Sequence, residues 1–501
     1  MFERNNLPKS LLVVFVMVML VLGAVSVVNT VEAMSSQPVK EDITSEQSNT
    51  QTPKYVFFFI GDGMGASQRQ AAEYYLRSTT GNKDLKLTMN KFPVAGVNTT
   101  QSEDSLVTDS AAAGTALATG HKTNNKVISQ LPDGTNVKTL IEAAEEKGLA
   151  TGIITTSRLT HATPATFVAH TESRYMADEI ANQYLNSDVE FFAGGGYRYF
   201  IPSTGLNYEG QALKSKRKDN KNLVAGFADK GYNTFLSKAD TEKFRSFKPQ
   251  GQEKVFAAFS YSHTPYELDR KNTNNTPSIS EMTSKGIDTL SKYENGFFMM
   301  VEGARIDHAC HANDPAGAIH DVLAFDKAVA KAYEFYRQHP KETLIVVAGD
   351  HETGGFGLGF SKQYFLKMDN LAKAKVSVDG TLMGVYDGNK EEYFNYIDEN
   401  LGLDNLTAKE RKIITEAMDI VDSGQEYDAA TYGPSYYDAV AIATTHVLSA
   451  RAGLEWTTYA HSATAIPMSA VGASAQNFGG YKDNTEIATT MADLMDFNLS
   501  N

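Results

Sequence analysis

Five short apolar runs constrain this chain more than any other feature: YVFFFIGD (55–62), TGIITTS (151–157), VEFFAGGG (189–196), GFFMMVEG (296–303) and TLIVVAGD (343–350). Each closes on glycine or a polar residue. Runs of this length that read as apolar on both faces are buried strands. Helical patterns separate them, such as VKTLIEAAEEKG (137–148) and DPAGAIHDVLAFDKAVAKAYEFYRQ (314–338). In the second, Asp314 is placed as N-cap and Pro315 at the first helical position. The alternation predicts an α/β fold, a central, mainly parallel sheet flanked by helices on both faces.

With 501 residues, 42% of them hydrophobic, the chain can bury a large core. Two stretches break the rhythm and read as surface insertions carrying little sheet. Residues 197–285 are mostly polar and contain KSKRKDNK (214–221), read as a solvated loop. Residues 357–435 are rich in Tyr, Lys, Asp and Glu, with a capping box Thr407-x-x-Glu410. At the N-terminus, Arg4 and Lys9 precede an apolar run (11–28), and Val31 and Ala33 offer small residues before a cut. That pattern is an export signal over 1–33, with an uncleaved membrane anchor as the alternative. A polar leader (34–52) reads as disordered, which leaves 53–501 as the folded domain. Cys310 is the only cysteine, so no intrachain disulfide forms. The net charge of −14 argues against nucleic acid as a dedicated partner.

Ligands of parallel sheets bind beyond the carboxyl ends of the strands. Asp62, Glu302 and Asp350 all stand at such ends. Carboxylates gathered in one cleft raise each other's pKa, a cost that divalent cations remove. His351 follows Asp350 directly, and Asp307 and His311 share a face if their turn is helical. Mixed histidine and carboxylate sets suit zinc, and all-oxygen sets suit magnesium. In LVTDSAAAGTALATG (106–120), Ser110 stands before small residues at the start of a helix, where backbone N–H groups and the helix dipole favour phosphate. An N-cap before an alanine-rich helix is the plainer reading of that stretch.

Taken together, TDSAAAGTA, the Gly61-Asp62-Gly63-Met64-Gly65 turn, EGARIDHACH, GDH and the intervening HATPATFVAHTESR (161–174) resemble alkaline phosphatase, in the same order along the chain. The resemblance implies hydrolysis of phosphate monoesters through a phosphoserine on Ser110, assisted by two zinc ions and one magnesium. Asp307, His311 and His461 match ligands of the first zinc. Asp62, Asp350 and His351 match those of the second. Asp62, Thr163 and Glu302 match the magnesium site. Arg174 matches the arginine that grips phosphate, and Asp109 the acid that orients it. The resemblance also implies a homodimer, and with the export signal a periplasmic or extracellular location.

Two positions depart from the best-known bacterial pattern. His161 stands where that pattern has an acid near magnesium, so it can serve that metal only indirectly. His308 stands where the pattern has a lysine near phosphate. Sulfatases require C-x-P-x-R or its serine version, which neither Ser110 nor Cys310 provides. A phosphodiesterase of the same superfamily and a non-catalytic phosphate- or metal-binding protein are the remaining alternatives.

Overall fold

The computed structural model describes residues 52–362 and 364–500. The export signal and nearly all of the polar leader therefore lie outside the described residues. The main sheet has ten strands. In chain order they are β1 (Tyr55–Gly61), β2 (Val94–Asn98), β3 (Ala150–Arg158), β4 (Phe191–Gly195), β5 (Tyr232–Leu236), β6 (Lys254–Ala258), β7 (Phe297–Glu302), β8 (Thr343–Gly349), β11 (Ile466–Gly472) and β12 (Gly480–Lys482). A separate two-stranded antiparallel sheet is made of β9 (Glu352–Thr353) and β10 (His461–Ser462). Across the sheet the order is β12-β2-β11-β8-β1-β7-β3-β4-β6-β5. Only β11 runs against the others, so the sheet is mainly parallel, as the buried apolar runs predict.

Residues of β1 alternate between two cores. Tyr55, Phe57 and Phe59 enter one layer, and Val56, Phe58 and Ile60 enter the other. Helices α1 (Ala66–Thr80), α3 (Ile279–Leu290) and α5 (Pro315–Tyr336) cover the first face. Helices α2 (Ser110–Thr119) and α6 (Thr485–Met495) cover the second. Both faces of the strand are thus dry, and each fully buried phenylalanine contributes roughly 1.5–3 kcal/mol relative to exposure. Asp314 caps α5 through Gly317 N (2.8 Å), with Pro315 at the first helical position as its sequence predicts. The capping box of Thr407 and Glu410 is also formed.

The expectation of little sheet in 197–285 is corrected. Two of its segments, YNTFL and KVFAA, become β5 and β6 and extend the parallel sheet beyond β4, with Phe191 opposite Val255. Each is only five residues long, and polar loops on either side dilute its apolar signal. The 214–221 run is largely solvated, but Arg217 is buried against Asp219 and the carbonyl of Tyr199. Residues 357–435 contribute no strand to the main sheet among the described residues. They are nevertheless more than surface, because Tyr393, Ile397, Ile414 and Met418 join the first core.

Register decides where the acids fall. Ile60 pairs with Glu302, and Gly61 pairs with Gly349. Asp62, Glu302 and Asp350 therefore emerge together at the carboxyl end of the three central strands.

Candidate metal centre and active site

Asp62, Glu302 and Asp350 are fully buried at that end of the sheet. Asp307 and His311 arrive from α4 (Arg305–His311), one turn apart as their spacing predicts, with His311 Nε2 3.3 Å from Asp307 Oδ1. Gly63, at φ +70°, permits this approach: a Cβ there would lie 2.8 Å from Asp307 Cα. His461 comes from far along the chain through the β9–β10 strand pair, where it faces Thr353. Glu352 ties that strand pair down. It accepts from Gln68 Nε2 (2.7 Å) and Phe356 N (3.0 Å), and from the Ser462 hydroxyl.

Two of the histidines are held in one tautomer. His311 Nδ1 faces the Tyr459 carbonyl at 2.7 Å, and His461 Nδ1 faces the Thr108 carbonyl at 2.8 Å. A carbonyl only accepts, so both Nδ1 atoms carry hydrogen and both neutral rings present a bare Nε2. Those two Nε2 atoms lie 3.2 Å apart, lone pair toward lone pair. His351 stacks on His461 at 3.5 Å, and its Nε2 is 3.3 Å from Asp350 and 3.4 Å from Asp62. Both oxygens of Asp62, Oδ2 of Asp350, Oε1 of Glu302 and Oγ1 of Thr163 are buried without a hydrogen-bond partner. Unpaired buried acceptors are costly. Facing one another, these atoms fit cations.

The electrostatics agree. Burial, then the charges of Asp350, Asp307 and Glu302, push the Asp62 carboxyl well above the usual range. Burial likewise raises Glu302 to about 7. Asp307 goes the other way: burial would raise it, but His311, His461 and His351 outweigh burial and hold it low. Three groupings have ligand atoms close enough to share an ion: Asp307 with His351 and His461, Asp62 with Asp350 and His351, and Asp62 with His161 and Glu302.

Beside the cluster, Ser110 opens α2, and Asp109 rather than Ser110 is the N-cap, accepting from Ala112 N at 3.0 Å. Ser110 Oγ is 3.2 Å from His351 Nε2. Arg174 donates to Asp109 Oδ2 (2.9 Å) and to His161 Nε2 (3.2 Å). An arginine only donates, so His161 carries its hydrogen on Nδ1, which has no partner. Burial and Arg305 lower His308 to about 3, which leaves it neutral, and Arg305 Nη1 lies 3.2 Å from its Nδ1. Every site residue expected from the sequence is thus at or next to one centre.

Sequence reasoning missed several neighbours. Thr155, on β3, donates to Glu302, yet in TGIITTS it reads as β-branched filler. His263 packs 4.4 Å from His308, but it stands alone in a polar stretch with no ligand spacing. Thr353 donates to Asp307 Oδ1 at 2.6 Å and meets His351 Nδ1 at 3.3 Å, so one hydroxyl orients two candidate ligands. Its place two residues after His351 was the available signal. Substituting Thr353→Val keeps the shape and removes both contacts. Zinc affinity, read by competition with a chromogenic chelator, is expected to fall about 10–100-fold; unchanged affinity would show that Thr353 merely fills space.

A sequence profile of the alkaline phosphatase family matches residues 53–497. The chain belongs to the alkaline phosphatase family. It is 32% identical to alkaline phosphatase 3 of Bacillus subtilis (strain 168) over 505 residues, covering 99% of each chain. Its fold is similar to that of Thermus thermophilus alkaline phosphatase, with a TM-score of 0.77 at 27% identity, covering 93% of this chain and 96% of the other. A TAB5 alkaline phosphatase variant with one histidine replaced by aspartate is also similar (TM-score 0.61, 28% identity, covering 89% and 99%), and its structure has Mg bound in the M3 site. Family and fold together make the chain a hydrolase of phosphate monoesters.

Proposed function

We propose that this alkaline phosphatase acts through a phosphoserine formed on Ser110, with two zinc ions and one magnesium. The observation that carries the reading is the group of buried oxygens of Asp62, Asp350, Glu302 and Thr163 that lack hydrogen-bond partners, with the imidazoles of His351, His461 and His311 against them and the Ser110 hydroxyl at the edge. Asp307, His311 and His461 would hold the first zinc, and Asp62, Asp350 and His351 the second. Asp62, Glu302 and Thr163 offer oxygens only, which suits magnesium. The Mg in the TAB5 variant supports that choice. His161 presents an N–H rather than a lone pair at Nδ1, so it serves this third ion indirectly, as a donor.

When bound, the cations supply Lewis acidity, neutralising the carboxylates and stabilising the entering and leaving oxygens. The chain's own groups do the rest. Ser110 Oγ attacks phosphorus as the P–O bond to the alcohol breaks. Water then breaks the P–Oγ bond, freeing phosphate and restoring the serine. Arg174 grips two phosphate oxygens with parallel N–H groups, aimed by Asp109, and the N–H groups at the start of α2 add to that hold. His308 offers phosphate an uncharged ring. Cleavage of the 1–33 signal, a periplasmic or extracellular location and a homodimer belong to the same proposal. No helix among the described residues is long and apolar enough to cross a membrane.

Acid quenching of the zinc- and magnesium-loaded enzyme during turnover of a labelled phosphate monoester is expected to leave label on Ser110. Steady turnover with no label on any residue, down to the shortest quench time, would mean direct attack by water and end the phosphoserine reading.

A further inference from the structure

Behind Arg174 and His161 lies a second group of cations that the reaction does not use. Arg158 ends β3, and its Nη1 is 3.5 Å from His263 Nε2 while its backbone N is 3.3 Å from His263 Nδ1. A neutral imidazole has one accepting nitrogen, so it satisfies only one of these two donors. Arg158 Nε is buried with no acceptor at all, and Arg198 Nε is in the same condition. Arg198 follows β4 and lies over the rings of Tyr199 and Tyr261, 5.1 Å from each.

Among the described residues neither arginine has a carboxylate within 4.0 Å. By contrast, Arg174 has Asp109 at 2.9 Å and Arg305 has Asp379 at 3.9 Å. Burial and the neighbouring charges of Arg174 and Arg198 pull Arg158 down to about 10, as expected of a guanidinium short of anions. The chain carries a net charge of −14, so this surplus of positive charge is local. The backbone is shaped for it. Gly196 sits at φ +91°, where a Cβ would lie 2.5 Å from Arg158 Cβ, and only glycine lets the two segments close. The His263 ring, 5.6 Å from His161 and 4.4 Å from His308, separates the pair of arginines from the catalytic pocket.

We propose that Arg158, Arg198 and His263 form a second anion site beside the catalytic pocket, which takes a tetrahedral phosphate dianion. Guanidinium forks match phosphate oxygens with parallel N–H groups, and anion binding gives the unpaired donors acceptors. The ion has two sources: inorganic phosphate released next door, or a second phosphate group on the substrate. Only the first source rests on the catalytic reading.

Equilibrium dialysis of the metal-loaded enzyme against labelled inorganic phosphate tests the site. The wild type is expected to hold two phosphates per chain, and the Arg158→Gln, Arg198→Gln double variant one, with kcat for a simple monoester unchanged. Arg198 is only half-buried, so Arg198→Gln alone guards against misfolding, and it is expected to weaken the second phosphate about ten-fold or more. One phosphate in the wild type, removed by Arg174→Ala, would overturn the second site and leave the catalytic reading intact. No bound phosphate would overturn both, and two in the double variant would overturn the assignment to these arginines. Comparing kcat/KM for a bisphosphate and a monophosphate of the same alcohol separates the sources. A preference for the bisphosphate that the double variant loses assigns the site to substrate, and an unaltered ratio assigns it to free phosphate.

Discussion

Replacing Ser110 with alanine is expected to lower turnover of phosphate monoesters by on the order of 10³–10⁶-fold, the range seen when a nucleophile is removed from an otherwise intact site. The substitution is conservative in every other respect. Ser110 is buried at the start of a helix whose next three residues are alanines, so a fourth leaves neither clash nor large void. The cap of α2 belongs to Asp109 and survives. None of the carboxylates and imidazoles of the cluster is altered, so zinc and magnesium content should remain that of the wild type. Steady-state kcat and elemental analysis on one preparation check both halves of the expectation. A variant with full metal and kcat within ten-fold of the wild type would remove Ser110 from the reaction.

Stripping the metals is expected to abolish activity, and zinc with magnesium to restore it. The larger physical effect is on stability and its dependence on pH. In the metal-free fold, burial holds Glu302 at about 7, above its unfolded value. Its contribution to stability is therefore complete below the unfolded value and is lost as pH rises through 7. Asp62 and Asp350 are displaced in the same direction, by burial first and by neighbouring carboxylates next. Cations neutralise these groups, so the loaded protein escapes that loss. The buried rings of His161, His308 and His351 are held neutral in the fold with or without metal, so their titration in the unfolded chain cancels between the two forms. The stability gap between loaded and metal-free protein should therefore widen from pH 5 to pH 8, by on the order of 3 kcal/mol from Glu302 alone. Denaturant titrations of both forms at the two pH values measure the gap. A gap that stays constant or narrows would show that no cation relieves these carboxylates, and fewer than two ions per active chain would contradict the proposed stoichiometry.

Much of this was legible in the sequence because it rests on local chemistry. The runs ending in Asp62, Glu302 and Asp350 are apolar throughout, so strand and strand end could both be read. The spacing of Asp307 and His311 needs only one helical turn. What failed was local signal too weak to stand out. KVFAA is a strand because β4 offers it an edge, and YNTFL because KVFAA does in turn, not because their five residues insist on it, so 197–285 reads as an insertion. His263 and Thr155 gain their roles from contacts across the sheet end that no spacing encodes, and Thr353 is marked only by its place two residues after His351. His461 was placed only through family resemblance, since nothing in TTYAHSATAIP itself points to a metal. Its cross-strand partner Thr353 lies more than a hundred positions earlier.

The long-range pairing of β9 with β10 bears on biogenesis. The proposed ligands run from Asp62 to His461, so a nascent chain lacks that complete set until His461 has been made. Premature termination upstream of His461 yields a product without the full ligand set, however much of the sheet it forms. On that ligand set, activity is withheld until synthesis has passed His461.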